Sequence, residues 1–263
     1  MDDIKFINLD PDSNIKDIND WLNINENIYK YMPIKHILSS FDKQYLYLVR
    51  PSEWKDPYES RFLNADLKGV TDDDRLFLQN IYCTCFNQSS TSSEAHWNAY
   101  TTDHLCGRLV INRVDLYNEL KKHIHKYDIY ITSVSYRKAY NGNGRERKLW
   151  KQSNFNFKQL MLNLLTIKRR PYAYEEECRI IFIPKHLRKG RKIVKLRPFK
   201  WEKITSHIYV DPNVDNSIFA VIKEYLETKY DNIKVTLNAL YEVPQKLCID
   251  IENNTLRITK IKS

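Results

Sequence analysis

Short apolar segments with the character of β-strands outnumber helical segments in this chain, and helices do not separate them regularly. The predicted strands are 45–49, 81–86, 108–111, 129–136, 178–183, 193–196, 208–210, 234–240, 247–251 and 256–261. Apolar residues recur with helical spacing at 34–41, 72–79, 114–125, 157–167 and 216–230. A doubly wound parallel sheet needs a helix between successive strands. The sequence therefore predicts an α+β fold, a single domain in which a mixed or antiparallel sheet carries flanking helices.

Three consecutive glutamates, Glu175, Glu176 and Glu177, precede the apolar segment 180–183 inside the most basic part of the chain. Residues 137–200 contain 19 Lys and Arg against four acids, and three of those acids are this triplet. Cationic surroundings keep carboxylates ionised, and the start of a strand is a rigid place from which to direct one at a substrate. Two interpretations are open here, a catalytic pair of carboxylates or neutralisation of a solvated basic face.

Composition excludes several classes of function. No apolar run reaches the roughly 20 residues that a membrane helix needs, and the chain begins with polar and acidic residues, unlike a signal peptide. We therefore expect a cytoplasmic protein without a membrane partner. The five cysteines do not form a disulfide framework, and no second Cys-x-x-Cys pair completes a zinc site, so no metal is expected. Only five glycines occur, and none of them forms a glycine-rich loop for a nucleotide diphosphate.

The net charge of +9 favours a polyanionic partner, because clustered Lys and Arg gain affinity by releasing counterions from phosphates. We expect nucleic acid to be bound by Lys168, Arg169, Arg170, Arg188, Lys189, Arg191 and Lys192. Residues 1–27 carry seven acids and two lysines, which predicts an acidic N-terminal arm ahead of a catalytic domain at 28–263. The arm would lie on the basic face or be held by another protein. An acidic inhibitor of the antitoxin type is the corresponding protein partner.

Four local motifs follow one another along the chain. They are Lys30-Tyr31, the segment Trp54-Lys55-Asp56-Pro57-Tyr58-Glu59, a block from Tyr82 that continues through Trp97, Tyr100, His104 and Gly107, and Tyr174-Glu175-Glu176-Glu177-Cys178-Arg179. Their order resembles a large bacterial family of unassigned function with K-Y, N-D-P-F-E, W-x-x-Y-x-x-x-H-x-G and E-x-E-x-R motifs. The resemblance spans residues 28–212, and the chain departs from it at Trp54-Lys55, where the family has an asparagine-like position.

The same motifs distantly resemble ADP-ribosyltransferases, in which a first strand grips NAD, a second supports the nicotinamide and a third opens with the catalytic glutamate. The resemblance implies an ADP-ribosyltransferase-like split sheet with NAD as the substrate cofactor. The residues that it assigns to NAD are Lys30, Tyr31, Thr84, Tyr100 and His104.

The resemblance also assigns catalytic roles to Glu177 and Glu175. Glu177 would stabilise the oxocarbenium-like state that forms when the nicotinamide bond breaks, and Glu175 would orient or deprotonate the acceptor. Residues i and i+2 of an extended segment share a face, so Glu176 would point away. Arg179 is expected to pair with one of the two catalytic carboxylates and to hold its geometry.

The function implied is an NAD-dependent ADP-ribosyltransferase, a toxin or anti-phage effector that modifies RNA, DNA or a nucleic-acid-associated protein. The alternative is a metal-independent ribonuclease, or a non-catalytic RNA-binding effector, that uses His104, Tyr100 and the basic stretch. Dependence on NAD separates the two. His104 either contacts substrate or caps a turn, and Asp56 before Pro57 is also an ordinary turn former. The acceptor stays open among a base, a phosphate, an arginine and another side chain.

Overall fold

The structure is a computed structural model that describes residues 3–10, 13–54, 56–100, 103–137, 145–241, 247–252 and 255–260, with the backbone alone at 145–148, 247–252 and 255–260. The strands are β1 Lys5–Phe6, β2 Asn27–Pro33, β3 Leu46–Val49, β4 Tyr82–Asn87, β5 Cys106–Asn112, β6 Tyr127–Ser133, β7 Ser135–Arg137, β8 Ile167–Arg169, β9 Glu177–Pro184, β10 Ile193–Leu196, β11 Thr205–Val210, β12 Lys234–Leu237, β13 Leu247–Glu252 and β14 Thr255–Lys260. The α-helices are α1 Ile18–Asn23, α2 Ile34–Asp42, α3 Pro57–Ser60, α4 Asp72–Gln79, α5 Glu94–Tyr100, α6 Arg113–Lys121, α7 Arg145–Gln152, α8 Phe157–Leu164, α9 Trp201–Ile204 and α10 Asn216–Lys229. Short 3-10 helices cover Pro51–Glu53, Arg170–Glu175 and Ala239–Tyr241.

One large sheet organises the described part of the chain. Its strand order is β1-β6-β9-β4-β2-β5-β11-β12, and β3 joins it beside β4 and carries β10. The β1–β6 and β11–β12 pairs are parallel, and the other pairs of this sheet are antiparallel. Small two-stranded sheets form from β7 with β8 and from β13 with β14. This confirms the predicted α+β class with a mixed, mainly antiparallel sheet and flanking helices.

The large sheet splits at β4. This strand pairs with β9 along its whole length. It shares only one register pair with β2, Tyr29 opposite Asn87, and one with β3, Val49 opposite Cys83. Beyond Tyr29, therefore, β2 and β4 separate, and the gap must be filled by side chains. Lys30 enters it, and its Nζ donates to the Cys85 carbonyl at 2.7 Å.

Strand β9 is the most deeply buried strand next to this split. Cys178, Ile180 and Phe182 face the main hydrophobic core, whereas Ile181 and Ile183 face a second core that includes residues of α8. A strand covered on both faces is rigid, and it fixes the position of the residue at its start. That residue is Glu177.

The N-terminal segment contributes to the same body. Strand β1 pairs with β6, and the indole of Trp21 is fully buried in the main core. The division of the chain into an arm at 1–27 and a catalytic domain at 28–263 stays a prediction. Among the described residues, no helix combines the length and the apolar character needed to cross a membrane.

Several predicted elements have different bounds in the structure. The predicted helix 157–167 is longer than the observed one, because α8 ends at Leu164 and β8 begins at Ile167. The predicted helix 72–79, in contrast, has the same bounds as α4. The strand 129–136 is two strands, β6 and β7. Helix α5 and strand β8, both next to the candidate site, were not among the predicted elements.

Candidate active site

A left-handed turn brings the carboxylates of two of the three glutamates close together. Glu175 is the last residue of the 3-10 helix Arg170–Glu175, Glu176 has φ 38° and ψ 52°, and Glu177 is the first residue of β9. The prediction that Glu175 and Glu177 share one extended segment is therefore wrong. They converge because the chain reverses at Glu176, a conformation that costs a non-glycine residue about 1 kcal/mol. The Glu176 side chain is exposed, as expected.

The two carboxylates meet at the ammonium group of Lys168. Its Nζ lies 2.6 Å from Glu175 Oε2, 3.2 Å from Glu177 Oε2 and 3.1 Å from Oε1 of Glu59, a residue of α3. Strand β8 places Lys168 there, beside β7. The side chain of Lys168 is only 9% exposed, so its charge is used within the cluster.

Arg179 completes the cluster from within β9. Its Nε donates to Glu177 Oε1 at 2.7 Å, its Nη2 donates to Glu177 Oε2 at 3.1 Å, and Nη2 also pairs with Glu59. This bidentate contact confirms the predicted pairing of Arg179 with one of the two carboxylates. Because the guanidinium is almost completely buried, the geometry of Glu177 is held against rotation.

Within the cluster, the pKa values of Glu175 and Glu177 are shifted in opposite directions. Burial by itself raises the pKa of Glu177, but Arg179 and Lys168 outweigh this and lower the pKa to about 2. Burial also raises the pKa of Glu175, and there Lys168 offsets only part of the effect. Glu177 therefore stays ionised, while Glu175 is the group better suited to take up a proton. Such divergence between neighbouring carboxyl groups is typical of acid and base pairs in active sites.

The cluster opens into a cleft of about 540 Å³. The described residues that line it are Trp54, Asp56, Pro57, Glu59, Cys85, Ala99, Tyr100, Lys168, Arg169, Tyr172, Tyr174, Glu175 and Glu177. Tyr100 and Tyr174 are 43% and 42% exposed. Aromatic rings that are open to solvent beside buried carboxylates can stack against a planar ring of a ligand. The cleft thus combines stacking surfaces with fixed negative charge.

The residues predicted to bind NAD divide between the cleft and its supports. Tyr100 lines the cleft. Lys30 and Thr84 lie together behind it, with Lys30 Nζ 2.9 Å from Thr84 Oγ1, and burial lowers the pKa of Lys30 to about 8. Neither Tyr31 nor His104 is among the described residues that line the cleft. Their assignment to NAD stays a prediction.

Tyr31 and His104 have other contacts in the structure. Tyr31 is buried, and its ring stacks on His96 and on Tyr100 with a centroid distance of 5.4 Å in each case. Tyr31 therefore supports the cleft-lining ring of Tyr100 from behind. His104 has a left-handed backbone, with φ 57°, and its Nδ1 lies 3.6 Å from Oδ1 of the buried Asp211.

The residues predicted to bind nucleic acid fall into two groups. Lys168 and Arg169 line the cleft, and Arg169 Nη2 donates to both carboxylate oxygens of Asp56, at 3.1 and 3.0 Å. Lys168 and Arg169 each already pair with a carboxylate, so neither cation is placed for a surface contact with a phosphate. The second group is exposed and consists of Arg170, Arg188, Lys189, Arg191 and Lys192. Binding of nucleic acid by this second group stays a prediction.

Three residues that contact the site had no role in the sequence prediction. Glu59 lies within the second quoted motif, and Asn87 and His96 lie within the block from Tyr82 to Gly107, so a signal for these positions existed. Asn87 and His96 hold backbone atoms next to Glu175, with Asn87 Nδ2 at 2.5 Å from the Glu175 carbonyl and His96 Nε2 at 2.9 Å from the Tyr174 carbonyl. No spacing in the sequence indicates these contacts, because they join positions about 80 residues apart.

Comparisons with known proteins add little to this geometry. No protein-family model matches the chain, and no curated protein matches it. A solved structure with detectable similarity is Thermosipho africanus DarTG in complex with ADP-ribose, at 12% identity and a TM-score of 0.32. The match covers 89% of this chain and 55% of that one. The family resemblance of the motifs stays a prediction.

Proposed function

We propose that the protein is an NAD-dependent ADP-ribosyltransferase and that Glu177 and Glu175 are its catalytic residues. The observation that carries the proposal is that two carboxylates lining one cleft, those of Glu175 and Glu177, share a single counter-ion, Lys168, at 2.6 and 3.2 Å. Arg179 holds Glu177 as a fixed negative charge, whereas burial raises the pKa of Glu175. Transfer of a ribosyl group needs both functions, a charge beside the sugar and a separate proton acceptor.

The reaction begins with cleavage of the bond between the ribose and the nicotinamide of NAD. The bonding electrons pass to the nicotinamide nitrogen and neutralise its positive charge, so the sugar becomes oxocarbenium-like. Glu177 stabilises this state through its charge and by accepting a hydrogen bond from the ribose 2′-hydroxyl. The acceptor then forms a bond to the same ribose carbon, and its proton passes to Glu175. Tyr100 and Tyr174 offer rings on which the planar groups of NAD can stack.

The acceptor that the charge distribution favours is nucleic acid, RNA or DNA, or a protein bound to it. The exposed cations at Arg188, Lys189, Arg191 and Lys192 supply phosphate contacts outside the cleft. An enzyme that consumes NAD and modifies nucleic acid endangers the cell that makes it. The proposal therefore includes a role as a toxin or anti-phage effector that an inhibitory protein partner controls.

The test replaces Glu177 with Gln and uses Glu176→Gln as its matched control. Gln keeps the volume of Glu177 but removes its charge, so release of nicotinamide from NAD should fall by on the order of a hundredfold or more. The control changes the neighbouring exposed residue in the same way and should retain the wild-type rate. Circular dichroism and thermal unfolding establish that both variants are folded.

Two results would contradict the proposal. One is near-normal NAD cleavage by folded Glu177→Gln protein. The other is wild-type protein that leaves NAD intact in the presence of RNA, DNA and lysate protein. Cleavage of RNA without NAD would favour the ribonuclease alternative, for which the contact between His104 and the buried Asp211 is the supporting observation.

A further inference from the structure

The turn that carries Glu175 is held by donors from another part of the chain. Three consecutive carbonyl groups accept hydrogen bonds there. Tyr174 O accepts from His96 Nε2 at 2.9 Å, Glu175 O from Asn87 Nδ2 at 2.5 Å, and Glu176 O from the backbone N of residue 88 at 2.9 Å. The donors are Asn87 at the end of β4, the residue that directly follows β4, and His96 in α5. We call His96 and Asn87 the carbonyl clamp.

The orientation of both clamp side chains is set by their other contacts. Asn87 Oδ1 accepts from the backbone N of Ser89 at 2.9 Å, so its Nδ2 faces Glu175. His96 Nε2 lies 2.9 Å from the Tyr174 carbonyl and 3.1 Å from Asn87 Nδ2, and His96 Nδ1 lies 3.1 Å from Ser93 Oγ. We assign the ring proton to Nε2, because the Ser93 hydroxyl can donate to Nδ1 whereas the Tyr174 carbonyl can only accept. Burial lowers the pKa of His96 and favours this neutral form. Stacking of the imidazole on Tyr31 restricts the ring further.

A clamp is needed because the turn is not a relaxed one. Glu176 adopts a left-handed conformation that a non-glycine residue populates only when its surroundings enforce it. The 3-10 helix before it has no side-chain cap at its start, and its last residue is Glu175. If the carbonyl groups lost their donors, the turn would relax toward a right-handed conformation. The Glu175 carboxylate would then move relative to Lys168 and Glu177.

We propose that His96 and Asn87 are positioning residues that hold Glu175 in place for the attack of the acceptor. This inference rests on the proposed function and adds that the rate of transfer depends on two side chains that do not touch the reacting atoms. Glu177 depends on the clamp much less, because β9, Arg179 and the Tyr136 hydroxyl hold it independently, the last by accepting from the Glu177 backbone N at 2.7 Å. Loss of the clamp should therefore affect transfer more than cleavage of NAD.

The experiment compares transfer with hydrolysis in three clamp variants. His96→Phe keeps a stacking ring and removes the Nε2 donor, Asn87→Asp replaces the Nδ2 donor with an oxygen, and His96→Gln restores a donor near the Nε2 position. Labelled NAD is incubated with mixed-sequence single-stranded RNA or DNA, and labelled acceptor and free ADP-ribose are measured together. His125→Phe, at an exposed histidine, is the matched control.

We expect kcat for transfer to fall about tenfold or more in His96→Phe and Asn87→Asp, because small displacements of a catalytic group are costly. The KM for NAD and the rate of hydrolysis should stay within about twofold of wild type. His96→Gln should recover most of the transfer rate, and His125→Phe should retain all of it. Thermal unfolding of each variant identifies losses that come from instability alone.

The results that would overturn the carbonyl clamp differ from those that would overturn the proposed function. A folded His96→Phe protein with normal transfer, or one in which transfer and hydrolysis fall in parallel, overturns the clamp while the enzyme assignment stands. Failure of His96→Gln to recover more transfer than His96→Phe also overturns it. Wild-type protein that cleaves no NAD overturns the proposed function and the clamp with it. Wild-type protein that cleaves NAD but labels neither RNA nor DNA overturns nucleic acid as the acceptor, and with it the clamp, while NAD cleavage by Glu177 stands.

Discussion

Glu175 and Glu177 are two residues apart and have opposite electrostatic environments. Glu177 receives two guanidinium donors from Arg179 in addition to the ammonium of Lys168, and its pKa lies near 2. Glu175 receives the ammonium alone, so the cost of burial dominates and its pKa is raised. The number of cationic donors that face each carboxylate therefore decides which one stays charged and which one exchanges protons.

The first prediction at this scale concerns Glu175→Gln. Transfer to nucleic acid should fall at least tenfold, whereas hydrolysis of NAD to free ADP-ribose should fall much less, since Glu177 remains intact. Because burial raises the pKa of Glu175, its charged form is destabilised by folding at neutral pH. The variant should therefore unfold at a temperature no lower than that of wild type.

The sign of the pH dependence follows from the same shift. The proposed role of Glu175 as a base requires its deprotonated form, so wild-type transfer should decline as the pH falls through its raised pKa. This acid limb should be missing from the residual transfer by Glu175→Gln, measured between about pH 4 and about pH 8. An identical acid limb in the variant would assign the base to another group.

At the scale of elements, β9 and the position of Glu177 could be predicted from the sequence, whereas the position of Glu175 could not. The apolar run 180–183 is a strong local signal, and the strand begins where that run meets the glutamates. The left-handed Glu176 depends on donors from β4 and α5, which are distant in sequence. The alternation of side chains along an extended segment therefore predicted correctly that Glu175 and Glu177 converge, but the cause is the left-handed turn at Glu176.

Strands β2 and β8 show a second limit of local patterns. The segment 157–167 has continuous apolar spacing, but the α8 helix ends in a turn in which Thr166 Oγ1 donates to the Asn163 carbonyl, and β8 starts directly after it. In β2, Lys30 is half-buried by its contact with β4 and Tyr31 is buried against α5, and no local spacing reveals either contact. Tertiary contacts override local preference at both places.

The prediction at this scale concerns the split between β2 and β4, which Lys30 fills. Lys30→Met keeps an unbranched side chain of nearly the same length but removes the ammonium that bridges Thr84 and the Cys85 carbonyl. Since Cys85 lines the cleft, NAD binding should weaken by about tenfold, while binding of a polyanion should change little. Calorimetric titration with NAD and with single-stranded DNA measures both affinities. Lys35→Met, at an exposed position on α2, is the matched control. Unchanged NAD affinity in Lys30→Met would mean that the gap between β2 and β4 takes no part in binding NAD.

At the scale of the whole molecule, the cations of the basic stretch fall into a group inside the site and a group at the surface. Part of its charge is consumed inside the site, where Lys168, Arg169 and Arg179 neutralise carboxylates. Four further cations are exposed between β9 and β10, namely Arg188, Lys189, Arg191 and Lys192, and the last of these pairs with Glu53 at 2.9 Å. A count of charges along the sequence cannot separate these two groups, because burial decides which cations are free to meet a phosphate.

The last prediction tests the solvent-facing group at Arg188, Lys189 and Arg191. If these residues contact nucleic acid, wild-type affinity should fall steeply between about 50 and about 300 mM salt, because each neutralised phosphate releases counterions. A triple alanine variant at these positions should bind more weakly and show a slope of log affinity against log salt that is shallower by roughly 0.7 to 0.9 per lost contact.

Alanine at Lys121, Lys126 and Lys203, all exposed, removes the same charge elsewhere and should leave the slope close to that of wild type. Equal slopes for the two triple variants would mean that net charge acts from a distance and that no phosphate binds between β9 and β10. Nicotinamide release from NAD in the absence of acceptor should be the same in all three proteins, since the substituted residues lie outside the set that lines the cleft.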